Sequence, residues 1–201
     1  MQRNQVICFG EALIDLLPEQ NGQPLKDVPS FQRNPGGAPA NVAAAVAKLG
    51  GQARFVGMVG EDAFGHFLKD TLDDLHIDTT YFQFSTEAHT ALAFVSLKEN
   101  GERDFMFYRS PSADMLVEAS HIKDKIFDDG LIFHFGSVLQ ASEPSRSATT
   151  MAIEKAKQQG LLIHYDPNVR LPLWQNPEEA KELILATLPL ADIVKISDEE
   201  L

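Results

Sequence analysis

The sequence predicts an α/β fold, a mainly parallel central sheet flanked by helices, with a small β layer appended. Three observations carry this. Short β-rich runs alternate with segments of helical period, which implies crossover connections between parallel strands. Two stretches, about 12–34 and 81–109, break the alternation and read as hairpin-like segments outside the main sheet. Apolar residues make up 44% of the 201 residues, enough for a packed core and too many for a disordered chain.

The elements follow in order. Gln5 to Gly10 reads as a strand ending in glycine. Ala38 to Leu49 is helical, with Val42, Val46 and Leu49 spaced for one face. Ala53 to Val59 is a strand. Ala63 to Leu75 is a helix with Phe64, Phe67, Leu68, Leu72 and Leu75 on one stripe. Ala91 to Leu97 and Asp104 to Tyr108 flank Glu99-Asn100-Gly101-Glu102, a hairpin-like turn. Leu131 to Phe135 is a strand, and Pro144 to Gln159 a helix ended by Gly160. Leu161 to Tyr165 is a strand. Asn176-Pro177-Glu178-Glu179 starts a helix: Asn caps, Pro takes the first turn, and the acids suit the dipole. Ala180, Leu183, Ile184 and Leu188 form its buried face, and Ile193 to Ile196 is the last strand.

Composition excludes several classes. A formal charge of −12 argues against sequence-independent nucleic-acid binding, although a basic pocket on an acidic protein can still hold an anion. No apolar run approaches the ~18 residues that span a bilayer. Val6 to Phe9 is too short for a signal-peptide core, so we expect a cytoplasmic protein. The single cysteine, Cys8, lies in an apolar run and is expected to pack in the core. The six histidines show no metal-ligand spacing; His134 and His164 fall within strands and are expected to be packed or hydrogen-bonded. Neither a Gly-x4-Gly-Lys nor a Gly-x-Gly-x-x-Gly run is present, which leaves P-loop and dinucleotide chemistry without support.

The most informative stretch is Pro35-Gly36-Gly37-Ala38-Pro39-Ala40-Asn41. Two glycines let the backbone turn sharply and come close to a ligand. A helix then starts with free N–H groups, which favour oxygen atoms. Asn41, one turn in, offers a donor and an acceptor, the mixture that polyol recognition needs. An ordinary loop-to-helix turn is the alternative. Asp15 interrupts the apolar run Ala12 to Leu17 after the first strand, and ligands of parallel α/β folds collect at strand C-termini. Asp166-Pro167-Asn168-Val169-Arg170 also follows a strand, and it is plain turn chemistry as well.

Gly36 to Ala43, continuing through Leu49-Gly50-Gly51 and Phe55 to Gly65, resembles the first signature of the ribokinase-like (PfkB) carbohydrate kinases. Gly10 to Asp15 resembles the segment preceding it. Arg109 to Met115 and Ser142 to Arg146 are similar to fructokinases within that family, and Asp166 to Arg170 to its central motif. The resemblance runs in order over the whole chain. It implies a ribokinase-like fold in which the segments about 12–34 and 81–109 form a β lid. It implies that Asp15, Gly36, Gly37 and Asn41 hold sugar hydroxyls, and that Arg109 reaches from the lid towards the sugar or its phosphate. Asn168 would lie near the nucleotide phosphates, and Arg170 would offset transition-state charge. Lys195 to Glu200 resembles the family's Asn-x-x-Glu element, with Ser197 where Asn is usual; Ser197 would stand near ATP and Glu200 would order Mg2+ through water.

The implied reaction moves the γ-phosphoryl of ATP to a sugar hydroxyl, most closely that of D-fructose. The family's base is the Asp of a Gly-Ala-Gly-Asp motif, and this sequence contains no such run. The last strand is followed only by Ser197 to Leu201, where another helix is due, and an uncovered sheet edge loses burial. We therefore expect residues 1–201 to be an incomplete ribokinase-like domain, inactive alone. A non-catalytic sugar-binding or regulatory module is the alternative, as is a 2-keto-3-deoxygluconate, ribose or nucleoside kinase of the same family. The expected partners are a small sugar and ATP, with neither nucleic acid nor membrane; relatives pair through the lid, and the β-rich segments here permit such a homodimer.

Overall fold

The structure, a computed structural model, describes residues 3–20, 22–97 and 103–200. Its strands are β1 (Gln5–Phe9), β2 (Leu13–Pro18), β3 (Phe31–Gly36), β4 (Gln52–Gly60), β5 (Phe82–Ser85), β6 (Leu92–Leu97), β7 (Arg103–Tyr108), β8 (Gly130–Gly136), β9 (Leu162–Asp166) and β10 (Ile193–Val194). The longer helices are α1 (Ala38–Lys48), α2 (Ala63–Asp74), α3 (Ser145–Gln158) and α4 (Pro177–Thr187).

Six strands form one sheet in the order β10-β9-β8-β1-β4-β5, and every neighbouring pair is parallel. Side chains alternate across a strand, so each strand feeds two cores. Ile7 and Phe9 point to one face, where Phe133, Phe135, Ile163 and Tyr165 meet Ala148, Ala152 and Ala156 of α3. Cys8, between them, points to the other, where Phe55 and Val59 meet Ala40 and Ala43 of α1 and Leu68 and Leu72 of α2. Cys8 is fully buried, in line with core packing.

The other four strands form a second sheet, β3-β2-β6-β7. Its outer pairs are antiparallel, but the central pair β2–β6 is parallel, with Asp15 opposite Ala93. One face carries Ile14, Leu16 and Leu92 against Phe64 and Phe67 of α2, and Arg33 lies over the Phe67 ring at 3.7 Å. The other face is left towards a cavity.

Three expectations need correction. Residues 82–85 are not part of the small layer: β5 pairs with β4 and extends the main sheet. The first small-layer segment runs on to Gly36, because β3 pairs with β2 along its whole length. Leu49 is 89% exposed; α1 instead buries Pro39, Ala40 and Ala43, whose small side chains let the helix approach β1 and β4 closely. The expected turn at Glu99 to Glu102 lies outside the described residues.

Asp62 caps α2, accepting from the N–H groups of Phe64 at 3.1 Å and Gly65 at 2.8 Å. The same carboxylate accepts from the Thr90 N–H at 2.9 Å, so one cap also fixes the start of β6. Among the described residues, no helix is long and apolar enough to cross a membrane.

Candidate functional site

A cavity of about 620 Å³ lies between the small sheet and the C-terminal ends of β1 and β9. The small sheet supplies an apolar wall, Leu13, Leu17, Ala93, Val95, Phe105 and Phe107, interrupted by Asp15 and Gln32. The opposite side is polar: Glu11 from the end of β1, Gly37, Ala38 and Asn41 from the turn into α1, and Asn168 and Arg170 from the loop after β9.

Each wall has a local cause. Gly37 caps α1 with φ 103°, and a Cβ there would collide with the carbonyl oxygen of Glu11. A Cβ on Gly36 would overlap the carboxylate of Asp15. The two glycines therefore give the backbone its turn and leave Asp15 its place. Asn41 is exposed on the first turn of α1, its own N–H bonded to Gly37 O at 2.9 Å. Asn168 adopts φ 46°, a left-handed conformation that Asn tolerates better than most residues. Pro167 O accepts from the Ser137 N–H at 3.1 Å, which ties this loop to the one after β8.

Electrostatics single out two carboxyls. Burial raises the Asp15 carboxyl above its ordinary range, and the nearby Arg170 guanidinium pulls it back part of the way. Glu11 is 4% exposed, and burial raises its carboxyl to about 7 against its backbone hydrogen bonds and the field of Arg109. Glu11 Oε1 accepts the Ala38 N–H at 3.0 Å, holding the start of α1.

Six of the residues expected from sequence meet at this place: Asp15, Gly37, Asn41, Asn168 and Arg170 line the cavity, and Gly36 stands behind Asp15. Asn168, expected on the nucleotide side, faces the same cavity as Asp15. Arg109 does not reach into it as expected. It is 4% exposed and donates from Nε to Asp114 Oδ2 at 2.7 Å, with a second contact from Nη2 at 2.6 Å. Asp114, 1% exposed, also accepts from the Ser112 hydroxyl, and Arg109 Nη2 lies 3.4 Å from Val138 O. A buried guanidinium needs acceptors and a counter-charge, and Asp114 supplies the charge and takes the Nε and Nη2 donors.

Ser197 and Glu200 also lie off the cavity. Glu200 accepts from the Ser197 N–H at 2.9 Å, the Ser197 hydroxyl at 2.8 Å and the Val169 N–H at 2.7 Å. Burial raises its carboxyl, but these bonds and Lys195 outweigh burial and leave it below the ordinary range. With three of its four acceptor positions engaged, Glu200 keeps one on Oε1, enough for a hydrogen bond from one metal-bound water or a single bond to a cation. Among the described residues no group of three or more His, Cys, Asp or Glu could hold a metal ion.

Glu11 is the residue that sequence alone did not single out. Its signal was a charge directly after a buried strand, at the strand end where ligands collect.

A parallel sheet with a polar strand-end cavity, walled by a second sheet, defines an α/β protein built to enclose a small polar ligand. The model of the pfkB family carbohydrate kinases matches residues 3–201, and the chain belongs to that family. The chain is 50% identical over 196 residues to "Probable fructokinase-6, chloroplastic" of Arabidopsis thaliana, covering 98% of this chain and 51% of that protein. That relative is named for the chloroplast, whereas the sequence pointed to the cytoplasm. A crystal structure of fructokinase with bound ATP from Xylella fastidiosa superposes with a TM-score of 0.88 at 43% identity, over 98% of this chain and 59% of that one. A fructokinase from Vibrio cholerae O395 with fructose, ADP and calcium ion superposes at 0.86 with 37% identity, over 98% and 61%. The chain thus spans about half to three-fifths of the length of these relatives.

Proposed function

We propose that the whole protein transfers the γ-phosphoryl group of ATP to a hydroxyl of D-fructose, and that the cavity between the sheets is its sugar pocket. The observation that carries this is the lining: Asn41, Asn168 and Arg170 present donors and acceptors opposite an apolar wall into which Asp15 is set, as a polyol with polar and C–H faces requires. Membership of the carbohydrate-kinase family and the fructose bound by the Vibrio relative support the choice of sugar. ATP bound by the Xylella relative supports the donor.

In this reading the four-stranded sheet is a lid. Asp15 orients the sugar from the lid side, and Arg170 from the strand-end side offsets charge on the phosphoryl group in transit. The transfer makes one P–O bond to the sugar oxygen and breaks the bond to the β-phosphate; the hydroxyl proton must pass to a base. Mg2+ would neutralise the phosphates, with Glu200 accepting a hydrogen bond from one metal-bound water. Beyond the part covered by α2, the same face of the lid exposes Met106 at 41% and Tyr108 at 59%, which fits pairing with a second copy.

Two measurements test the reading. Isothermal titration of the 201-residue chain with fructose is expected to show one site, and an ATP-coupled assay of the same chain no turnover. Absence of fructose binding, with binding of ribose or 2-keto-3-deoxygluconate instead, would change the substrate. Binding of no sugar at all would sink the reading.

A further inference from the structure

We propose that Glu11 is itself a sugar-binding residue, whose Oε2 accepts a hydrogen bond from a sugar hydroxyl on the cavity floor. This rests on the cavity's being a sugar pocket. Glu11 follows β1 and is nearly sealed, yet it lines the cavity. Its Oε1 is occupied by the Ala38 N–H. Apart from Glu11's own N–H, no second donor among the described residues is placed on the carboxylate, and Oε2 keeps some contact with open space. The accessible part of this side chain therefore opens on the cavity.

A buried carboxylate with acceptor positions left open is costly, and a donor arriving there recovers much of that cost. The protein's own cations do not supply it. Arg109 spends Nε and Nη2 on Asp114, and Arg170 reaches the cavity from the loop after β9, where it acts on Asp15. The charged groups around Glu11 are Arg109 and Asp114 nearby, and Asp15 and Arg170 across the cavity. The first turn of α1 brings no acid. A sugar hydroxyl, small and neutral, fits the remaining position without adding charge to this set.

One consequence separates this role from simple helix capping. Capping uses Oε1 and is indifferent to sugar. Accepting a hydroxyl at Oε2 favours the ionised carboxyl, so sugar binding must lower the proton affinity of Glu11, and sugar affinity must fall as pH drops below about 7.

The test is carbonyl 13C NMR of the 201-residue chain labelled at Asp and Glu carboxyls, titrated with acid in the absence and presence of saturating fructose. The Glu11 midpoint is expected to fall by about one unit with fructose, matching a tenfold change in proton affinity. Glu11→Gln, which keeps a carbonyl for the Ala38 N–H, is expected to bind fructose about tenfold more weakly and to lose the pH dependence of affinity near neutrality. A Glu11 midpoint unmoved by fructose, while the Asp15 signal responds, would overturn this inference and leave the sugar pocket standing. No carboxyl response to fructose would overturn both. The wild-type titration decides alone if the variant fails to fold.

Discussion

The carboxylate of Asp15 lies against the Cα of Gly36, where a Cβ would overlap it. Asp15 sits in the middle of β2 and Gly36 at the end of β3, so the sheet pairing itself delivers the acid to the turn before α1. The glycine at 36 is thus tied to a side chain across the pair as well as to its own backbone.

It follows that Gly36→Ala must displace the Asp15 carboxylate from the cavity. We expect fructose affinity to fall about 10–100-fold, the worth of a hydrogen bond to a charged group, with a change in Tm of only a few degrees. Calorimetric titration and a thermal melt of the same sample check this. Unchanged affinity would remove Asp15 from the pocket.

Arg109 and Asp114 form a buried pair, so removing one partner strands the other's charge. Arg109→Ala and Asp114→Ala are each expected to lose about 3–5 kcal/mol of stability, and the double variant less than their sum. Urea unfolding of the three variants gives the coupling. Full stability with lost sugar binding in Arg109→Ala would return Arg109 to the role of a substrate ligand.

His134 on β8 and His164 on β9 face each other with their Nδ1 atoms 2.7 Å apart. Burial lowers the His134 pKa to about 4, helped by His164 and Lys195. Between about 4 and its unfolded value of about 6.5 the unfolded chain binds the extra proton, so stability falls as pH drops through that window. Glu11 works in the opposite sense, because its raised pKa makes the folded state the stronger proton binder below about 7. The difference between wild type and His134→Phe cancels that contribution. The variant is expected to lose up to about 3 kcal/mol less than wild type on acidification across the window. Parallel pH slopes in urea unfolding would show that the pair does not titrate as its burial implies.

Asn168 holds φ 46° in the cavity wall. Asn168→Gly accepts that backbone and loses only the amide, so stability should stay within about 1 kcal/mol while sugar affinity drops. Asn168→Val should cost both. Equal affinity in Asn168→Gly and wild type would confine Asn168 to a backbone role.

Much of the architecture was legible in the chain. The strand and helix segments of the main sheet follow from periods of two and 3.6, which burial on one face imposes residue by residue. The Gly36-Gly37 turn was legible because few residues but glycine take φ 103° against a neighbouring carbonyl. What could not be read were relations between distant segments. The periods of β5 and β6 are alike, and only pairing shows that β5 extends the main sheet while β6 joins β2 in parallel. Arg109 looked like a reaching side chain until Asp114, five residues on, proved to hold it away from the cavity.

The sequence by itself determined the α/β class, the family motifs and the polar residues at strand ends, because local conformation and burial pattern are written in neighbouring residues. Only the tertiary structure decided which of those residues face the cavity. It brought Glu11, Asp15, Asn41, Asn168 and Arg170 around one space and turned Arg109, Ser197 and Glu200 to other partners. The reason is that a polar side chain goes where its hydrogen bonds are satisfied, and those partners are set by chain segments far apart in sequence.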